Sequence, residues 1–358
     1  MRAFSIKTPR GERKIGKSQP CFIIAEMSSN HNQDYKKAVE IVKVAAAAGV
    51  DAIKLQSYLP DTMTIDCNKE WFLVGGENNP ETWKKQTFYE LYSKAYTPRE
   101  WHQPLKDLAE SLGLVFLPTP YSIEDIDFLE TLDPVMYKVA SYEATDVQFL
   151  RRIAKTKRPI VMSVGFATLE EIELSIKVLR EADSGEIIIL HCVTSYADNP
   201  RLETSNLRTM LNISERFDLV SGFSDNNGGV EIPVLAAAMG AAVVEKHLVL
   251  KDSDTLDSRF SLNQVSFKRM VESIRSNEKI MGVVHFGTQT PEEEYNRQFR
   301  RSLFVVRDVK KGEKFNVENV RSIRPAYGLE TKYFDNIIGK EAAEDVGKGT
   351  PISWKLIR

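Results

Sequence analysis

Residues 21–56 read CFIIAEMSSNHNQDYKKAVEIVKVAAAAGVDAIKLQ, and this stretch contains the repeating unit of the fold. Two short apolar runs, Cys21–Glu26 and Asp51–Gln56, flank the segment Tyr35–Ala48, whose apolar residues recur with helical spacing. A strand, a crossover helix and a second strand form a βαβ unit, which places the two strands parallel in one sheet. The stretch therefore predicts an α/β fold.

The same alternation continues to about residue 250. Further apolar runs follow at Leu114–Pro118, Met136–Ser141, Ile160–Gly165, Ile187–Val193, Leu219–Asp225 and Val243–Leu250. With the first two runs they make eight strands, and eight βα units favour a closed (β/α)8 TIM barrel over an open doubly wound sheet. The longer segment Ser57–Thr97 is interpreted as an elaborated loop over the mouth of the barrel.

The composition changes after about Gly282. The stretch Thr288–Arg301 is polar and rich in Glu and Arg, as linkers often are, and the C-terminal residues show short strand-like runs separated by turns such as Val309–Glu313. We therefore predict a barrel domain over residues 1–282, a linker over residues 283–300 and a small β-rich domain over residues 301–358.

Charge and hydropathy exclude several kinds of partner. The 358 residues carry a net charge of −2, so no overall attraction to nucleic acid or to an anionic membrane is expected. No apolar run approaches the roughly 20 residues that span a bilayer, and the charged N-terminus shows no signal peptide. The cysteines Cys21, Cys67 and Cys192 have no paired spacing, which predicts a reducing, cytoplasmic environment.

Polar side chains stand at the end of every predicted strand, where a parallel barrel has its active site. They are Glu26, Lys54, Gln56, Thr119, Lys138, Ser141, Glu143, Ser163, Thr194, Tyr196, Ser224, Asp225, Asn226, Glu245, Lys246 and His247. Lys54 and Lys138 interrupt apolar runs, and a buried ammonium group is costly unless an anion accompanies it. With the hydroxyl groups they predict a site for a phosphorylated, carboxylated substrate. For any single residue, a solvated strand end or a structural ion pair is the alternative.

The histidines give only a weak indication of a metal site. His247, at the end of the eighth strand, is the best candidate ligand, and His31, after the first strand, is the next. No HExxH or CxxC spacing accompanies them. The residues alone therefore leave the presence of a metal open.

Several segments resemble the sialic-acid synthase family. They are FIIAEMSSNHN (22–32), AGVDAIKLQ (48–56), MYKVASYEATD (136–146), GFSD (222–225) and VVEKHL (243–248). Residues 301–329, RSLFVVRDVKKGEKFNVENVRSIRPAYGL, are similar to the C-terminal antifreeze-like (SAF) domain of this family. PDTMTID (60–66), ELYSKAYTPREWH (90–102) and RFSL (259–262) resemble the pseudaminic-acid synthase branch most. The resemblance covers nearly the whole chain in order and implies a TIM barrel followed by a SAF domain.

The resemblance also implies a reaction and a set of site residues. The family condenses phosphoenolpyruvate with the open-chain aldehyde of an N-acetylated hexose, giving a nonulosonic acid and phosphate. Its motifs place phosphoenolpyruvate at Lys54, Thr119, Lys138, Ser141, Ser163 and Ser224, and imply catalytic roles for Glu26, Glu143 and Lys54. They place the sugar at Gln56, Thr194, Tyr196, Asp257 and Arg324. Arg324 would reach a neighbouring chain's site in a homodimer with exchanged SAF domains.

One motif departs from the family pattern. The family usually has Ser-Asp-His after the seventh strand, and that histidine shares a divalent metal, Mn²⁺ or Mg²⁺, with the histidine of the eighth strand. This chain has Ser224-Asp225-Asn226 instead. An amide oxygen is a harder and weaker ligand than imidazole, so we expect weak or absent metal binding at His247 and Asn226.

Two other functions stay open on the residues. One is a barrel aldolase that forms a Schiff base on Lys138 or Lys246. The other is a non-catalytic relative that only binds sugar or phosphoenolpyruvate, which Asn226 would favour. The lysines and hydroxyl groups at the strand ends argue against this second alternative, because buried charge without a ligand is costly.

Overall fold

The computed structural model describes residues 3–75, 83–194, 196, 202–251 and 253–358. The chain divides into two compact units, residues 1–282 and residues 283–358. The first unit is built on parallel strands and the second on a short antiparallel pair.

Eight parallel strands form the centre of the first unit. In chain order, barrel strands 1 to 8 are Phe22–Glu26, Ala52–Ser57, Val115–Pro120, Tyr137–Val139, Ile160–Ser163, Ile187–Val193, Val220–Asp225 and Val243–Val249. They pair in the order 3-2-1-8-7-6-5-4, and the end strands 3 and 4 lie side by side, which nearly closes the sheet. Each predicted apolar run supplies one strand, so the prediction of a (β/α)8 barrel is confirmed.

Helices follow the strands and cover the outside of the sheet. They are Tyr35–Ala48, His102–Ser111, Ile123–Glu130, Val147–Ala154, Leu169–Glu181, Arg208–Phe217, Glu231–Ala238 and Gln264–Met281. Side chains such as those of Asp34 and Thr168 cap the first turns by accepting hydrogen bonds from backbone N–H groups that have no partner within the helix. Within the described ranges, no helix is both long enough and apolar enough to cross a membrane.

An N-terminal antiparallel hairpin, Phe4–Thr8 with Gly11–Ile15, precedes the barrel. Its side chains Ile6 and Ile15 are buried against apolar residues from the first positions of the strands, including Phe22 and Val115. This cluster fills the N-terminal end of the barrel. The polar strand ends therefore surround the opposite end, where the fold carries its sites.

The segment Ser57–Thr97 leaves the barrel between strands 2 and 3. Its described part contains the helices Pro60–Met63 and Phe88–Ala95. Buried histidines hold both ends, because His102 Nε2 lies 2.8 Å from Ser57 Oγ and His31 Nε2 lies 3.2 Å from Thr97 Oγ1.

The second unit is small and rich in β-structure. Strands Ser302–Val305 and Val320–Ile323 pair antiparallel, and isolated bridges such as Phe304 with Pro351 extend the pairing. Helices Pro291–Asn296 and Phe334–Ile337 also belong to it. Its core contains Leu303, Val305, Val309, Phe315, Val320, Ile337, Ala342, Val346 and Ile352.

Candidate active site

The strand ends surround a cavity of about 580 Å³. Predicted site residues that line it are Lys54, Gln56, Lys138, Ser141, Glu143, Ser163, Thr194, Tyr196, Ser224, Asn226, His247 and Asp257. Side chains alternate between the two faces of a strand, which is why Ser224 and Asn226 both point inward and Asp225 does not. The cavity therefore brings together most of the side chains that the sequence analysis predicted at the strand ends.

Three of the residues to which the family resemblance gave a role do not line the cavity directly. Glu26 is fully buried just behind it and forms an ion pair with Lys54. Thr119 is also fully buried, and its hydroxyl oxygen has no hydrogen-bond partner among the described residues. Arg324 is exposed and belongs to the second unit.

Four charged side chains form a buried cluster in the cavity floor. Lys54 Nζ contacts Glu26 and lies 3.3 Å from Glu245 Oε1, while Lys138 Nζ lies 3.6 Å from Glu245 Oε2. Burial lowers the pKa of Lys54 to about 8, although Glu245 acts in the opposite direction. Burial also opposes ionisation of Glu245, but Lys138 and Lys54 outweigh it and lower the pKa of that carboxyl to about 2.

Hydroxyl groups surround these charges. Lys138 Nζ donates to Ser163 Oγ at 2.8 Å, and Ser224 Oγ donates to Glu245 Oε1 at 3.1 Å. Ser141 Oγ accepts a hydrogen bond from the backbone N–H of Gly165 at 3.1 Å. Position 165 has no room for a side chain, because a Cβ atom there would lie only 2.8 Å from a methyl carbon of Thr194. The two lysines and these hydroxyl groups, here called the cage, suit a phosphate or a carboxylate.

Glu143 lies in the turn that follows strand 4. Burial raises its pKa to about 8, despite the opposing effects of its own backbone hydrogen bond and of Lys138. Its Oε2 atom is buried and has no hydrogen-bond partner among the described residues. At neutral pH Glu143 is therefore protonated and can donate a proton to a bound substrate.

Aromatic rings line another part of the cavity. The rings of His247 and Phe260 lie 5.0 Å apart, as do those of Tyr196 and Phe260, and Trp83 lies 5.3 Å from Tyr196. Asp257, at the edge of this group, accepts hydrogen bonds from the hydroxyl groups of Ser28 and Ser29. Such a mixture of ring faces and a fixed carboxylate suits a sugar.

His247 and Asn226 face each other across strands 7 and 8. His247 Nε2 lies 3.1 Å from Asn226 Oδ1, and the Asn226 amide nitrogen donates to Cys192 Sγ at 3.4 Å. Burial lowers the pKa of His247 to about 3, so its imidazole is neutral.

Comparison with protein-family models supplies the decisive observation. Residues 41–286 match the NeuB family model, and residues 300–358 match the SAF domain model. The chain belongs to the NeuB family.

This NeuB-family chain is also similar to several proteins that are named as synthases of acidic sugars. It is 40% identical to the pseudaminic acid synthase of Campylobacter jejuni over 92% of this chain and 94% of that one. It is 32% identical to the N,N'-diacetyllegionaminic acid synthase of Legionella pneumophila over 97% of both chains. Its fold matches the crystal structure of N-acetylneuraminic acid synthetase from Leptospira borgpetersenii with a TM-score of 0.68 and 27% identity, over 82% of this chain and 95% of that one.

The NeuB family pattern raises the question of a metal at His247 and Asn226. Together they offer one imidazole nitrogen and one amide oxygen, and no group of three potential His, Cys, Asp or Glu ligands exists among the described residues. Among the described residues, His247 Nδ1 also has no partner for the hydrogen bond that usually orients a metal-ligating histidine. These two donors fit a weakly held, oxygen-preferring cation whose other ligands are water or substrate.

Two other sequence-derived candidates lie outside this cavity. Lys246 is completely buried and pairs with Asp225 at 2.7 Å, so it does not line the cavity as a Schiff-base lysine would. His31 uses both ring nitrogens, since Nε2 contacts Thr97 and Nδ1 accepts from the backbone of Gln33. Neither residue is available to a ligand in the cavity.

Glu245 also lines this cavity, although the family motifs did not assign it a role. It contacts both lysines of the cage. Its position two residues before His247 could have predicted this location, since residues i and i+2 of a strand share a face.

Proposed function

We propose that this chain condenses phosphoenolpyruvate with the open-chain aldehyde of an N-acetylated hexose, giving a nonulosonic acid of the pseudaminic or sialic-acid type and phosphate. The cage carries the proposal, because two buried lysines, Lys54 and Lys138, stand among hydroxyl groups at the mouth of the barrel. The name of the Campylobacter relative, pseudaminic acid synthase, supports the same reaction.

In the proposed arrangement the cage holds phosphoenolpyruvate. Lys54 and Lys138 supply charge to its phosphate and carboxylate, as ammonium groups do at such sites. Hydroxyl groups of Thr119, Ser141, Ser163 and Ser224 complete the contacts. The hydroxyl of Thr119 has no hydrogen-bond partner within the described part of the chain, which supports its inclusion because a buried polar group without a partner is costly.

The proposed reaction begins when C3 of phosphoenolpyruvate attacks the aldehyde carbon. Glu143 gives its proton to the aldehyde oxygen, and its raised pKa supports this role. C2 is left as an oxocarbenium ion, to which water adds with loss of a proton. The bond between C2 and the phosphate oxygen then breaks, and phosphate leaves. Glu26 keeps Lys54 in place and takes part with it in these proton transfers.

The sugar is assigned to the aromatic side of the cavity. Gln56, Thr194, Tyr196 and Asp257 would contact its hydroxyl and acylamino groups. Arg324 would complete the site from a neighbouring chain in a homodimer with exchanged SAF domains. The name of the Legionella relative, N,N'-diacetyllegionaminic acid synthase, supports a diacetamido hexose over a 2-acetamido hexose as the acceptor.

A divalent cation, Mn²⁺ or Mg²⁺, would be held by His247 and Asn226. When bound it would polarise the aldehyde oxygen. We expect this site to be weak because an amide oxygen stands where the family has an imidazole.

The remaining proposals concern organisation and location. We propose a synthase domain over residues 1–282, a linker over residues 283–300 and a SAF domain over residues 301–358. The matches of the two family models to residues 41–286 and 300–358 support this division. We propose the cytoplasm as the site of action, because the cysteines Cys21, Cys67 and Cys192 have no paired spacing, as is usual in a reducing environment.

A phosphate-release assay tests the proposed function. The protein is incubated with phosphoenolpyruvate and a panel of 2-acetamido and 2,4-diacetamido hexoses. We expect phosphate release that requires both substrates and is fastest with a diacetamido hexose. Trapping of a covalent adduct by borohydride at Lys138 would instead support the Schiff-base aldolase.

A further inference from the structure

The carboxylate of Glu245 lies next to the cage, although a negative charge does not help a site to bind an anion. Glu245 lies between the two lysines, at 3.3 Å from Lys54 Nζ and 3.6 Å from Lys138 Nζ. It is 3% exposed, so water does not screen its charge. Its Oε2 atom has no hydrogen-bond partner among the described residues, and the residue lines the cavity.

The charges of the buried cluster cancel. Lys54 and Lys138 are the only Lys or Arg side chains among the described residues that line the cavity, and they face the carboxylates of Glu26 and Glu245. A like charge beside a bound anion opposes binding. Glu245 cannot easily withdraw, because it sits inside strand 8 and accepts a hydrogen bond from Ser224. Glu245 therefore opposes the binding of an anionic substrate in its ground state.

An interaction that opposes ground-state binding speeds a reaction if it favours the transition state more. In the proposed condensation, C2 of phosphoenolpyruvate changes from a neutral vinyl carbon to the centre of an oxocarbenium ion. A fixed carboxylate in a water-poor site stabilises such a cation strongly. The carboxylate of Glu245 would therefore favour the reaction, although it opposes the binding of the substrate to Lys54 and Lys138.

We propose that Glu245 is a catalytic residue whose carboxylate stabilises the positive charge that develops at C2 of phosphoenolpyruvate. This inference rests on the proposed function. The π electrons between C2 and C3 form the new bond to the aldehyde carbon, whose oxygen takes a proton from Glu143. C2 then bears the positive charge beside Glu245 until water adds to it and gives a proton to the carboxylate of Glu143. Phosphate then leaves with the electrons of its bond to C2 and takes the proton of the new C2 hydroxyl group, whose oxygen becomes the keto oxygen.

Substitution of Glu245 by Gln separates this role from that of a structural counterion. The variant keeps the shape and removes the charge. We expect phosphoenolpyruvate to bind about as tightly as to the wild type or up to roughly tenfold more tightly, because a like charge has been removed. We expect kcat to fall by roughly 10²- to 10³-fold, the usual effect of removing one group that stabilises charge in the transition state. Calorimetry measures the affinity, and phosphate release measures kcat.

Two further variants control the experiment. Glu245→Asp keeps the charge and should leave the KM for phosphoenolpyruvate near the wild-type value while kcat falls less than in Glu245→Gln. Ser163→Ala removes a hydrogen bond from Lys138 in the same cage and should raise that KM. A raised KM with nearly unchanged kcat in Glu245→Gln would overturn the inference and make Glu245 a counterion for the lysines. If Glu245→Gln does not fold, the same rise of KM in Glu245→Asp overturns it. Absence of phosphate release by the wild type would instead overturn the proposed function.

Discussion

His247 Nε2 lies 3.1 Å from Asn226 Oδ1, and the amide nitrogen of Asn226 is turned away toward Cys192 Sγ. The hydrogen bond to sulfur fixes which end of the amide faces the histidine. A separation of 3.1 Å suits a hydrogen bond, and the same two atoms would be the protein ligands of a bound divalent cation. The pair is therefore ready to accept a cation but supplies only two protein ligands.

Metal affinity should be weak in the wild type and should improve in Asn226→His. An imidazole binds first-row transition ions more tightly than an amide oxygen, so we expect Mn²⁺ to bind at least about tenfold more tightly to the variant. Titration of metal-free protein with Mn²⁺, followed by calorimetry, measures both affinities. Nanomolar affinity in the wild type, together with complete loss of activity on chelation, would contradict this account of Asn226.

Replacement of Lys54 or Lys138 by Met should weaken the binding of phosphoenolpyruvate. Each lysine is a buried charge that the substrate is proposed to contact, and loss of one such partner costs on the order of 2–5 kcal/mol. Lys246→Met is a matched control, because Lys246 is equally buried and paired but does not line the cavity. We expect the control to lose stability while its affinity, measured by calorimetry, changes little. Unchanged affinity in both cage variants would reject the assignment.

Glu143 should determine the alkaline limb of the pH profile. Its pKa is raised to about 8, so kcat should fall as the pH rises through about 8 and the donor proton is lost. Glu143→Gln should lower kcat and abolish this limb. A limb that persists in the variant would assign the titration to another group.

The same carboxyl should affect stability. Between pH 4.5 and about 8 the unfolded chain has lost the proton of Glu143 while the folded chain retains it. The contribution of Glu143 to stability therefore falls as the pH rises through this window. Glu143→Gln should melt at a higher temperature than the wild type at pH 8, and the difference should shrink toward pH 4.5. An equal difference at both pH values would show that Glu143 is ionised in the folded protein.

Gly222 should tolerate no side chain. A Cβ atom there would lie 2.1 Å from the carbonyl oxygen of Val243, in the neighbouring strand 8. We expect Gly222→Ala to lower the free energy of unfolding by about 1–3 kcal/mol or more through strain between strands 7 and 8. Gly75→Ala is the control, because a Cβ atom at Gly75 meets no atom of the described residues within 4 Å. Equal melting temperatures for the two variants would contradict the steric argument.

The sequence predicts the barrel well because its strands are short apolar runs of one kind separated by amphipathic helices. Lys54 and Lys138 were recognisable as site residues because charge inside an apolar run requires a partner. Glu245 was recognised as a polar strand-end residue but received no specific role, because the sequence does not distinguish it from its polar neighbours Lys246 and His247. The structure distinguishes these residues, because alternation along the strand turns Glu245 and His247 into the cavity and Lys246 toward Asp225. The hairpin Phe4–Thr8 with Gly11–Ile15 was missed because its exposed face is charged and only Ile6 and Ile15 are fully buried.

An isotope experiment that shows which bond of phosphoenolpyruvate breaks is the most direct test of the proposed condensation. The protein is incubated with phosphoenolpyruvate that carries ¹⁸O in the bridging position and with a 2,4-diacetamido hexose. Mass spectrometry then follows the label in the released phosphate and in the sugar product. We expect the label to appear in phosphate and an unlabelled nine-carbon keto acid to form in equal amount. Label retained in the organic product, or phosphate release that does not need the sugar, would contradict the proposed condensation.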